Sequence, residues 1–143
     1  KDTGRLKDTE ADALTWSAED YHRARTLAGV PDGSTDMPVE KIYWLETGAE
    51  RLGGVSFKKG CYIGQELTSR MKHRTDVKKS LRVFSAPEGA IFEPDTPIFT
   101  SDGKKAGHII SRVGTLYWAY MRLEYEGQAL FCNDLELTTH SFA

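Results

Sequence analysis

Hydrophobic positions along the chain change their period near residue 76. Up to that point apolar residues recur at three- and four-residue spacing; beyond it they fall into short runs that alternate with polar residues. Ser17-Ala18-Glu19-Asp20 supplies a serine N-cap with a carboxylate three positions on. Tyr21, Ala24 and Leu27 or Ala28 then form one face before Gly29 and Pro31, which predicts a first helix. Pro31 to Pro38 is a turn-rich connection. Pro38 suits a first helical turn, and Val39, Ile42, Tyr43 and Leu45 predict a second helix that Gly48 ends. Ile63, Leu67 and Met71, four residues apart, predict a third helix over about 61–73. Residues 1–14, with Asp2, Asp8, Glu10 and Asp12, are polar and read as a disordered or truncated edge.

After Lys79 the runs Leu81–Phe84, Pro97–Thr100, Gly107–Val113, Leu116–Leu123 and Gln128–Cys132 predict strands. Asp102-Gly103, Gly114-Thr115 and Glu126-Gly127 supply the chemistry of short antiparallel turns. Five or six such strands make a small barrel or sandwich, and closure into a barrel removes exposed sheet edges. The expected fold class is α+β, with a helical part over residues 1–75 and a C-terminal antiparallel β-barrel over 76–143.

Reactive chemistry concentrates in Lys59-Gly60-Cys61-Tyr62-Ile63-Gly64-Gln65-Glu66. A cysteine at or near a helix start meets unpaired backbone N–H groups and the positive end of the helix dipole, and Lys58 and Lys59 add two cations. Thiols so placed drop from about 8.5 into a range of roughly 3.5–7.5. The competing reading is a buried cysteine packed as a small hydrophobe. Gly60 and Gly64 favour the reactive one, because they leave room on both sides of the thiol. Cys132 falls in a strand and reads as core. Glu66 and Arg70 stand at i, i+4 with the acid first, the better order for a helical ion pair.

The run K-G-C-Y-x-G-Q-E resembles the signature of the YgfZ-type folate-binding proteins, relatives of the glycine-cleavage T-protein (aminomethyltransferase). Gly53-Gly54-Val55-Ser56-Phe57 before it and Ser69-Arg70, His73-Arg74 and Lys78-Lys79 after it agree with the flanking pattern of that family. The resemblance implies a tetrahydrofolate-binding accessory factor for iron–sulfur cluster assembly or repair, which also supports tRNA modification, rather than a proven enzyme. It implies that Cys61 is the functional thiol and that Lys59, Gly60, Tyr62, Gly64, Gln65, Glu66 and Arg70 bind ligand or shape the pocket. It further implies a ferredoxin-like origin for the helical part and a longer parent whose N-terminal half lines much of the folate pocket. The partners it implies are folate and iron–sulfur client or assembly proteins. The location it implies is the bacterial cytoplasm or the mitochondrial matrix.

With 39% hydrophobic and 28% charged residues the composition is that of a globular protein, and no apolar run approaches the roughly 20 residues of a membrane span. The start at Lys1-Asp2-Thr3-Gly4-Arg5 has no apolar stretch of the kind a signal peptide carries. Two cysteines in segments of different character read as reduced thiols. The net charge of −2 hides a division: residues 58–79 carry 7 Lys/Arg against 2 Asp/Glu, while residues 1–57 carry 7 against 11. A basic stretch beside the cysteine suits an anionic cofactor tail or an acidic partner, or is a solvated helix face. Nucleic-acid binding is not expected, because Tyr62 is the only aromatic available for stacking in that stretch. His108 and His140 lack neighbours at metal-ligand spacing, and there is no Cys-x-x-Cys, so a cluster would be cargo rather than a resident metal centre. Two alternatives stay open: a folate-dependent aminomethyltransferase, and a non-catalytic protein or RNA interaction module.

Overall fold

The computed structural model describes residues 16–61, 63–73 and 77–142; the expectation for residues 1–14 lies outside them. Six strands form a closed antiparallel barrel: β1 (Lys79–Ser85), β2 (Pro97–Thr100), β3 (Lys105–Val113), β4 (Leu116–Arg122), β5 (Leu130–Cys132) and β6 (Leu135–His140), in the spatial order β1-β4-β3-β2-β5-β6. The molecule is α+β with a C-terminal barrel, as the change of period predicts. Tight turns set the register. Gly114, at φ +60°, begins the link that pairs Val113 with Leu116. Asn133 and Asp134, at φ +49° and +63°, form a two-residue turn between Cys132 and Leu135, with both central residues in the left-handed conformation that matches strand twist.

The barrel buries two surfaces. Phe84, Ile98, Ile109, Tyr117, Met121, Leu130 and Cys132 pack together as its interior. Leu81, Val83, Ile110, Leu116 and Trp118 pack on the outside of β1, β3 and β4 under Met37, Ile42 and Phe142. Covering both faces removes the simple alternation from β1 and β4, and each fully buried apolar side chain contributes roughly 1.5–3 kcal/mol. Gly107 fits because a Cβ there would lie 2.4 Å from the Tyr120 carbonyl oxygen. The Tyr117 hydroxyl, fully enclosed, donates to the Ala90 carbonyl at 2.9 Å.

Helix α1 (Ala18–Leu27) starts at the predicted cap. The Ser17 hydroxyl accepts from the Asp20 N–H at 3.1 Å and the Asp20 carboxylate accepts from the Ser17 N–H at 3.1 Å. The packed face differs from the one expected. Tyr21 and Leu27 are exposed, whereas Arg25 and Thr26 are buried against the barrel. Polar pairing decides this: Arg25 meets the Asp36 carboxylate at 2.5 Å, and that carboxylate also accepts from the Ser111 hydroxyl on β3, the Thr35 hydroxyl at 3.1 Å and the Asp32 N–H at 2.9 Å. The Thr26 hydroxyl accepts from the Trp118 indole N–H at 3.3 Å. Four donors on one buried carboxylate offset its desolvation, so a polar stripe on α1 packs where an apolar one was expected.

The predicted second helix is replaced by a turn and a short 3₁₀-helix, Trp44–Thr47. Glu40 sits at φ +62°, a left-handed conformation that interrupts a right-handed helix, and Val39 is 83% exposed instead of packed. The Glu46 carboxylate caps the 3₁₀-helix through the Tyr43 N–H at 2.8 Å and also accepts from the Tyr120 hydroxyl at 2.7 Å, tying this segment to β4. The motif helix, α2, runs Gln65–His73 rather than 61–73. Strand β5 begins two residues later than the predicted run, and β6 has no counterpart among the predicted runs.

Candidate functional site

The motif lies on a segment that leaves the 3₁₀-helix at Gly48, φ +83°, and reaches α2 at Gln65. Its first part is a compact turn in which the N–H groups of Leu52, Gly53 and Gly54 donate to the Gly48, Glu50 and Ala49 carbonyls at 3.0, 3.1 and 2.7 Å. Val55 to Cys61 then runs without regular structure. Gly64, at φ +83°, is the hinge from which α2 starts, and its carbonyl accepts from the Thr68 N–H at 3.3 Å and the Thr68 hydroxyl at 3.1 Å. A helix cannot propagate back through a left-handed residue, so Cys61 stands four positions before α2 rather than in its first turn.

Cys61 is exposed and Cys132 is buried. Burial in the barrel interior pushes the Cys132 thiol up to about 11. Glu66 and Arg70 form the expected ion pair at 2.5 Å, with side chains 79% and 60% exposed. Gln65 is half-buried at the start of the helix, and Tyr62 lies outside the described residues. Among the described residues, Gly60 and Gly64 have open space where a side chain would be, so neither is required by packing against them; Gly64 is required by its φ. One further contact clamps the segment: Lys72 on α2 meets the Glu50 carboxylate at 2.6 Å and sits 5.7 Å from the Phe57 ring centroid.

Lys59 and Ile63 line a cavity of about 560 Å³ together with Trp44, Gly53, Gly54 and Ser56. The site residues are therefore divided. Lys59 borders this cavity, Glu66 and Arg70 pair in solvent, and Cys61 is presented on the loop between. Trp44 was missed from sequence, because it falls between Tyr43 and Leu45 in a helix pattern that does not form. The signal available was an aromatic followed nine and ten residues later by a glycine pair, Gly53-Gly54. Among the described residues no three His, Cys, Asp or Glu side chains converge to hold a metal ion, and no helix is long and apolar enough to cross a membrane.

Residues 71–142 match the model of the CAF17 C-terminal β-barrel domain. The chain is 40% identical over 91 residues to the human mitochondrial iron–sulfur cluster assembly factor IBA57, covering 62% of this chain and 26% of that protein. It is 34% identical over 110 residues to the mouse factor of the same name, covering 74% and 31%. It is 32% identical over 127 residues to the homologue from Phaeosphaeria nodorum, covering 73% and 31%. The chain thus spans under a third of the length of these relatives. Because the matched region takes in half of the residues and every strand of the closed barrel, the chain belongs to the CAF17 C-terminal β-barrel family.

Proposed function

We propose that this chain is the C-terminal part of a mitochondrial iron–sulfur cluster assembly factor in which Cys61 is the working thiol and tetrahydrofolate is the bound cofactor. The observation that carries this reading is the contrast between two cysteines: Cys132 is sealed inside the barrel, while Cys61 is held out on the K-G-C-Y-I-G-Q-E loop. The names of the relatives support the assembly role and the mitochondrial location. The likeness of the motif to YgfZ-type proteins supports the folate. A single exposed cysteine supplies one sulfur ligand to iron, too few to hold a cluster, so the cluster passes as cargo with its other ligands supplied by a partner. Lys59, Gly60, Gly64, Gln65, Glu66 and Arg70, with Tyr62, are the residues that shape the surroundings of the thiol. Deleting the full-length natural protein from its cells should lower the activity of cluster-dependent mitochondrial enzymes, and restoring it should recover them. The purified protein should carry a reduced folate. Unchanged enzyme activities after deletion would overturn the assembly role.

A further inference from the structure

We propose that the cavity beside the Cys61 loop binds a flat aromatic ring carrying an anionic tail, with the Trp44 indole as the stacking platform. Within the 3₁₀-helix, Leu45, Glu46 and Thr47 are buried, yet Trp44 is left 52% exposed on the cavity wall. Its position is fixed from behind. A Cβ on Gly54 would lie 3.2 Å from Trp44 Cζ2 and 3.3 Å from the Ala49 carbonyl oxygen, so glycine lets the indole settle against the backbone. Gly53 and Gly54 line the same cavity without adding side chains to it. Lys59, within the most basic stretch of the chain, supplies a positive charge to the lining, and Ser56 supplies a hydroxyl. The volume, about 560 Å³, falls in the range of roughly 300–1,000 Å³ typical of small-molecule sites. An exposed aromatic face, two glycines and a cation in one lining suit ring stacking combined with charge recognition.

Pterins with a glutamate tail, phosphorylated flavins and adenine nucleotides share this chemistry. The tetrahydrofolate of the proposed function is one member, and placing the ring on Trp44 goes beyond that reading and is tested apart from it. The indole N–H signals of Trp16, Trp44 and Trp118 in the ¹⁵N-labelled chain, assigned by substitution, give the readout during titration with 5-formyltetrahydrofolate, FMN and AMP. At least one probe should shift the Trp44 signal saturably and leave that of the buried Trp118 in place. Trp44→Ala should weaken binding about tenfold, the scale of one stacked ring, and Trp44→Tyr should recover most of it. An unmoved Trp118 signal certifies that each variant is folded. Lys59→Gln should weaken AMP more than adenosine, its counterpart without the phosphate. Should no probe move the Trp44 signal, or Trp44→Ala bind as the wild type does, the inference is overturned. FMN or AMP binding without the folate would keep it and separate this ring site from the folate of the proposed function. Folate binding that ignores Trp44 would overturn it and leave that folate standing.

Discussion

Two thiols in one small chain are separated by burial, and their chemistry separates accordingly. Cys132, with its thiol pushed up to about 11 by the apolar barrel interior, stays protonated at pH 8 and is shielded besides. Iodoacetamide should therefore mark Cys61 first, with Cys132 reacting only on unfolding; equal rates in peptide mass spectra would contradict the placement of either. The raised value also has a stability consequence. A thiol whose folded value lies above the ordinary 9.0 contributes stability below pH 9 that is lost as pH rises toward 11, so Cys132→Ala should flatten the alkaline limb of a stability profile. Glu66 and Arg70 face solvent, and an exposed i, i+4 pair is worth only about 0.3–0.5 kcal/mol. If they serve the site, Glu66→Ala should leave the melting curve nearly unchanged while lowering enzyme-activity rescue in cells. Rescue that falls only as folded protein falls would make the pair structural.

Between α1 and β3 the joint is polar where the sequence pattern pointed to an apolar one. Replacing Asp36 by Ala leaves Arg25 buried without its counter-ion, and chemical denaturation should report a loss of roughly 3–5 kcal/mol; a loss below about 1 kcal/mol would show that the network carries little. That joint also explains what was legible in the sequence. The start of α1 was readable because its capping box is local, Ser17 to Asp20. Its buried face was not, because Arg25 and Asp36 find each other across a turn and Ser111 arrives from 75 residues away. The 3₁₀-helix was mistaken for an α-helix because Glu40 carries no marker for its left-handed conformation. Strand β6 hid because only Leu137 of its six residues is buried, which leaves too little alternation to read. In the site, the Glu66–Arg70 ion pair matched its spacing, whereas the loop that holds Cys61 ahead of α2 and the Trp44 cavity depend on backbone turns that no periodicity encodes.

At the scale of the whole molecule, the closed barrel leaves no free sheet edge and supplies a fixed support. The segment from Ala18 to Thr47 covers the outside of β1, β3 and β4, and the Glu46–Tyr120 and Ser80–Glu46 contacts anchor the point from which the motif segment departs. The thiol is thus carried on an irregular loop whose two ends, Gly48 and α2, are held while the middle stays accessible. In the proposed function, rigid support with an exposed thiol would suit a transient carrier of iron and sulfide, and the functional demand would fall on a single atom, the Cys61 sulfur. The most direct measurement replaces the full-length natural protein in its cells with a Cys61→Ser form at equal abundance, beside a Cys132→Ala form, and assays cluster-dependent mitochondrial enzymes. Activity should fall with Cys61→Ser to the level of cells lacking the protein and persist with Cys132→Ala; wild-type activity with Cys61→Ser would contradict the account.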